Sequence, residues 1–235
     1  MKDEEIDQIL NKAAAAAPEP APELLQHVAE SIRPSLQPVH PLAPAWLLSN
    51  GLVLVCLAVS LAGALRAGLF GFARMDLFER ALIFPALAIL LWAAARTFVA
   101  EMIPGSLRRI APPVLLLLTG AALVGLFAFL FHDPATGHFV PVGLVCLGMG
   151  LLHAVPAALL SWLVLRRGFA TNPVSAGLIA GTLGGLAGVS LLELHCPNFE
   201  TAHVLVWHTA VVPVAAGLGA LAGVLIRMRR LRPEA

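Results

Sequence analysis

Charged side chains are scarce in this chain, 12% of 235 residues against 59% hydrophobic ones. A soluble domain of this length carries roughly 25% charged residues on its surface, so the composition excludes one. What charge there is sums to +1, with no basic patch beyond the arginines that flank apolar runs, so no direct nucleic-acid partner is expected. Cysteine is nearly absent. Cys56, Cys146 and Cys196 are too few and too scattered for a disulfide framework, and no CxxC occurs. The chain also lacks a Ser/His/Asp ordering, a Gly-rich phosphate loop, an HExxH pair and paired intramembrane carboxylates. It therefore reads as a non-enzyme, with no cofactor and no organic substrate expected. The opening Met1-Lys2-Asp3-Glu4-Glu5 is acidic and the first apolar run begins only at Ala45. That is not the pattern of a cleavable signal peptide, so the first span is expected to be retained.

What is abundant is long apolar sequence. A bilayer core about 30 Å thick needs roughly 20 apolar residues in a helix rising ~1.5 Å per residue. Six runs qualify, at 45–67, 78–100, 112–131, 140–165, 174–194 and 203–226. Backbone polar groups in lipid must be satisfied internally, and the alternation of a β-barrel is missing. The expected fold is all-α, a polytopic membrane protein whose six transmembrane helices form a bundle behind a short flexible N-terminal tail. Residues 1–44 form the tail, 45–226 the membrane domain and 227–235 a basic C-terminus.

The arginines set an expected orientation. With the N-terminus inside, the cytoplasmic ends carry Arg96, Arg108, Arg109, Arg166, Arg167, Arg227, Arg229, Arg230 and Arg232. The other side carries only Arg66, Arg74 and Arg80, and the segments 131–139 and 193–202 hold no Lys or Arg. The positive-inside rule then places both termini in the cytoplasm.

In the tail, Ile6, Ile9 and Leu10 stand at helical spacing behind Asp3, Glu4, Glu5 and Asp7, an acidic group suited to a helix N-terminus. Leu24, Leu25, Val28 and Ile32 share one face of a second short segment. An Ala/Pro-rich spacer, Ala13 to Pro22, separates the two. The tail is too small to bury a core, and its apolar faces are candidates for partner binding. Within the membrane domain, Gly177, Gly181 and Gly185, with Gly184 and Gly188 beside them, predict close helix packing in the fifth span. Ala215, Gly219 and Gly223 form a similar stripe in the sixth.

The most chemically loaded run is Glu193-Leu194-His195-Cys196-Pro197-Asn198-Phe199-Glu200, followed by His203 and His208. It joins the fifth and sixth spans on the expected outer side, where His132, Asp133 and His138 also lie. Imidazole and thiolate are natural ligands of zinc and copper, so His195, Cys196, His203 and His208 are candidate metal ligands. The same residues also suit a hairpin of polar caps that bond across the helix ends. Cys146 and Cys196 are a candidate redox pair, provided the fourth and fifth spans face each other there. His153, near mid-span, is a functional candidate by depth or an interhelical hydrogen bond. A small metal or solute permease using His153, His208 and the hairpin is an alternative reading, and a structural membrane protein another.

The segment Ser31-Ile32-Arg33-Pro34-Ser35-Leu36-Gln37-Pro38-Val39, the six spans, and Leu192-Glu193-Leu194-His195-Cys196-Pro197 leading to His203-Val204-Leu205-Val206-Trp207-His208 together resemble the NrsF family of bacterial inner-membrane anti-sigma factors. The resemblance implies a tail that holds an extracytoplasmic-function sigma factor at the membrane and releases it on an envelope signal. It also implies that outward-facing cysteines take part in sensing, a place that Cys196 matches and Cys146 would complete.

Overall fold

The computed structural model describes residues 3–16, 21–33, 43–103, 110–134, 139–165, 170 and 172–230. Arg108, Arg109, His138, Arg166, Arg167 and Arg232 lie outside the described residues. The chain forms two compact units, Met1–Pro41 and Leu42–Ala235.

The first unit holds α1 (Asp3–Ala16) and α2 (Pro22–Ile32). Pro22 starts α2, a position where its missing N–H costs nothing. Neither helix buries its apolar face. Ile6, Ile9 and Leu10 on α1 and Leu24, Leu25, Val28 and Ile32 on α2 are 36% to 59% exposed.

The second unit is a bundle of helices: α3 (Ala45–Ala67), the short α4 (Phe70–Arg74), α5 (Leu77–Met102), α6 (Pro112–Leu130), α7 (Phe139–Leu165) and α8 (Pro173–His195). The last stretch, Thr201–Arg230, runs through α9 (Thr201–His203), a π-helical turn (Val204–His208) and α10 (Thr209–Arg230). Six of these stretches are long and apolar enough to cross a membrane, and their bounds agree with the six apolar runs to within a few residues. The protein is a membrane protein of all-α architecture.

Local chemistry explains where the helices start. Asp76 and Glu79 form a reciprocal capping box on α5, each side chain bonded to the other's backbone N–H at 2.8 Å. Asn172 caps α8, its Oδ1 accepting from the N–H groups of Val174 and Ser175, with Pro173 at the first position. Gly68 ends α3 with φ +104°, a conformation that a side chain would strain.

α8 is the centre of the bundle. Of its most apolar stretch 72% is buried, against 22% to 39% for the other five. Its glycines explain why. A methyl group on Gly177 would fall on the carbonyl oxygen of Gly219, one on Gly181 on that of Ala215, and one on Gly185 on the backbone of Val212. On another face, Gly184 and Gly188 meet the backbones of Ala154 and Gly150. The two small-residue stripes noted in sequence thus lie against each other, α8 on α10, while α7 packs on a second glycine face. Lipid offers no hydrophobic drive for helix association, so such close approach supplies it through dispersion. Ser60 adds a polar tie from α3, its hydroxyl reaching the carbonyl of Ala187 at 2.7 Å as well as that of Cys56 in its own helix.

Candidate functional site

The site begins where α8 runs out. Cys196 is its C-cap, with its N–H bonded to Leu192 O at 2.7 Å. Pro197 prevents the helix from continuing. The chain turns through Asn198, whose Oδ1 accepts from the N–H of Glu200, and enters α9.

This hairpin is stapled from two sides. Arg74 at the end of α4 donates to the carbonyl of Pro197 at 2.7 Å, pairs with Asp133 at 3.5 Å and lies over the ring of Phe199. Thr201 bonds back to the carbonyls of Phe131 and Asp133, and Phe131 stacks on Phe199 with ring centres 4.9 Å apart.

Beneath the hairpin, four side chains from four elements converge. Cys146 comes from α7, Cys196 from the end of α8, His203 from α9 and His208 from the π-helical turn. One ligand atom from each lies within 4.8 Å of all the others. The two Sγ atoms are 3.5 Å apart, and Sγ of Cys196 is 3.7 Å from Nε2 of His203. Both histidines are fully buried, Cys146 and Cys196 nearly so, and both thiols are free.

The π-helical turn is what makes this possible. In a regular α-helix, residues five apart point about 140° away from each other at ~100° per residue. A turn closed by i→i+5 bonds brings such residues to within roughly 50° of each other. His203 and His208 accordingly stand edge to face, with ring centres 5.3 Å apart.

Two further groups shape the electrostatics. Nδ1 of His208 lies 2.7 Å from Oε1 of Glu193, and neither side chain has any exposure. The contact holds Nδ1 on the carboxylate and leaves Nε2 on the side of the Cys196 thiol. Nε2 is buried and makes no well-formed hydrogen bond among the described residues. The Cys196 thiol is pushed above its ordinary value, first by its hydrogen bond with Cys146 and next by burial, with His203 and His208 pulling it down.

A family model described as negative regulator of sigma F matches residues 29–227. The chain belongs to this NrsF family. The matched residues take in the end of α2, all six spans and the whole Cys/His cluster, and the family is one of negative regulators of a sigma factor. No curated protein and no solved structure matches the chain.

In this NrsF-family chain the structure gathers Cys196, His203 and His208 of the four sequence-picked ligands and adds Cys146, expected only as a redox partner. His195 stands apart. Its Nδ1 is 2.9 Å from the carbonyl of Gly68, and its ring rests against Phe70, because consecutive residues at the end of α8 point in different directions. His153 bonds the carbonyl of Met149 one turn back in its own helix at 2.9 Å and is not part of the cluster. Cys56 is a buried side chain of α3. Sequence reasoning missed Glu193 as a partner of His208. The spacing of fifteen residues across a hairpin gave no signal for it, since the π-helical turn that aligns the two is not written in any motif.

Proposed function

We propose that this chain is a bacterial inner-membrane anti-sigma factor, not an enzyme, with both termini in the cytoplasm. Its tail, residues 1–44, holds a sigma factor of the extracytoplasmic-function type. The outer hairpin releases that partner when a redox or metal signal reaches Cys146, Cys196, His203 and His208.

The observation that carries the tail reading is the exposure of two apolar helix faces in a chain that belongs to a family of sigma-factor regulators. Leu24, Leu25, Val28 and Ile32 form a ready face for a partner helix to cover. Residues 1–44 carry seven acidic and three basic side chains, which complements the basic surface of a DNA-binding protein. Tethering such a tail to a membrane raises its local concentration on a captured partner.

The signal reading rests on the buried thiol pair at one end of α8. That helix is packed along its length by glycine contacts to α10 as far as Gly223 against Pro173. A change in the cluster that shifts α8 against α10 is therefore felt at the other end of both helices, because close-packed interfaces do not deform continuously.

The test is co-purification of the full-length protein with a sigma factor of the extracytoplasmic-function type. Leu24→Ser with Val28→Ser is expected to lose the partner while membrane insertion is unchanged. Equal retention by that variant removes α2 from the binding surface. For the signal, Cys196→Ser is expected to blunt release. Unchanged induction across oxidant and metal challenge removes the thiol from the mechanism.

A further inference from the structure

We propose that Cys146, Cys196, His203 and His208 form a closed four-ligand site for a divalent d10 cation, zinc being the natural one, with Glu193 as the outer carboxylate that aims His208. The inference deepens the signal reading above and rests on it only for what binding does to the sigma factor.

The geometry fits a tetrahedral ion. Zinc takes sulfur at ~2.3 Å and imidazole nitrogen at ~2.0–2.1 Å, which sets ligand-to-ligand separations of about 3.3–3.8 Å. The cluster offers 3.5 Å between the two sulfurs and 3.7 Å from sulfur to the His203 nitrogen, with every remaining pair inside 4.8 Å. To complete the shell the two sulfurs open slightly and the widest pairs close by up to about 1.4 Å.

Two observations separate this cluster from a chance gathering of thiols and imidazoles. Nε2 of His208 is fully buried, makes no well-formed hydrogen bond among the described residues, lies on the side of the Cys196 thiol and belongs to a side chain whose other nitrogen is already held by Glu193. A buried polar atom left unmatched costs free energy, and one aimed at three other ligand atoms is matched by a cation. The Glu193–His208 contact is also the arrangement by which ligating histidines are fixed in tautomer and direction, with the carboxylate on Nδ1 and the metal on Nε2.

Charge selects the ion. Binding expels to solvent the two thiol protons, together with any second proton on an imidazole, and leaves two thiolates, two neutral imidazoles and the cation. With a divalent ion the first shell is neutral. With a monovalent ion it carries a full negative charge beside the Glu193 carboxylate, in a fully buried place where uncompensated charge is costly. Four protein ligands also leave no open position, so the site is one that holds a metal and fixes four helical elements together, not one that presents it to a substrate.

The experiment is cobalt titration of the full-length protein in detergent under reducing, oxygen-free conditions, followed by zinc. The expected result is one cobalt per chain with the visible bands and thiolate charge transfer of a tetrahedral two-sulfur, two-nitrogen site, displaced by stoichiometric zinc. Cys196→Ser and His208→Ala lose the spectrum, while His195→Ala keeps it. Glu193→Gln keeps the band shape but weakens affinity about 10–100-fold, and Glu193→Asp recovers part of that loss. A cobalt spectrum without tetrahedral bands overturns the proposal, as does one that survives His208→Ala or is lost in His195→Ala. Because loading is read without a sigma factor, the two readings fail separately. Metal bound with induction untouched by Cys196→Ser sinks the signal reading, and no metal bound with blunted induction sinks the site.

Discussion

Glu193 on α8 and His208 in the π-helical turn are joined at 2.7 Å with both side chains fully buried. A pair like this adds little net stability over an apolar replacement, yet removing one partner strands the other in a place with no water. The two single variants should therefore differ. His208→Ala leaves the carboxylate alone and is expected to cost about 3–5 kcal/mol. Glu193→Gln keeps an acceptor oxygen for Nδ1 and is expected to cost about 1–3 kcal/mol. Thermal unfolding in detergent, in the absence of metal, reads the order directly. Equal losses would show that the carboxylate is not stranded when the imidazole is removed.

Glycine substitutions should sort by what faces them. Gly181→Ala drives a methyl group into the backbone of Ala215 and is expected to destabilise by about 1–3 kcal/mol, as overpacking does. Gly120 and Gly217 have nothing within 4 Å of the added atom. Alanine there is expected to be neutral or to gain up to about 1 kcal/mol from helix propensity. A uniform effect across the three would mean that α8 does not depend on close approach to α10.

The Cys196 thiol is raised first by its neighbour Cys146 and second by burial. Alkylation proceeds through the thiolate, so a raised value means slow labelling at neutral pH and a rate that climbs only as pH passes the ordinary thiol range. Cys146→Ala removes the first cause and returns Cys196 toward its ordinary value. In a Cys56→Ala background, maleimide labelling at neutral pH is expected to rise several-fold, roughly in proportion to the thiolate gained. No change in rate would mean that burial alone governs this thiol.

Much of this architecture was legible because a bilayer imposes a simple demand. Six runs of apolar sequence became six helices with nearly the expected ends, since only a helix satisfies its own backbone in lipid. The stripe of Gly177, Gly181 and Gly185 announced the best-buried helix for the same reason. The site was legible only in part. Cys196, His203 and His208 were chosen from residue type and proximity in sequence, and they do converge. His195 was chosen on the same grounds and points to Gly68 instead. No pattern of letters records that the chain passes from α9 into a wider, π-helical turn. That single extra residue per turn decides which imidazoles face Cys146, and with Glu193 it is a tertiary fact. The short helix α4, which brings Arg74 onto the hairpin, was hidden too, because five residues between two spans are below any periodic signal.

The remaining prediction concerns which way the bundle faces. Arg227, Arg229 and Arg230 close α10 at one end, while residues 196–200 at the other end contain no basic side chain. Arginine near a span is retained on the cytoplasmic side, and loops without it translocate. A reporter that folds only in the cytoplasm, fused after Ala235, is therefore expected to be active, and one inserted at Asn198 to be silent. A reporter that works only outside should show the reverse. The consequence is chemical as well as topological. If the fusion after Ala235 is active only on the exterior, Cys146 and Cys196 face the reducing cytosol, where thiols stay reduced and zinc is scarce. The tail then lies on the side where no sigma factor is found, so one measurement decides between a working regulator and an inverted one.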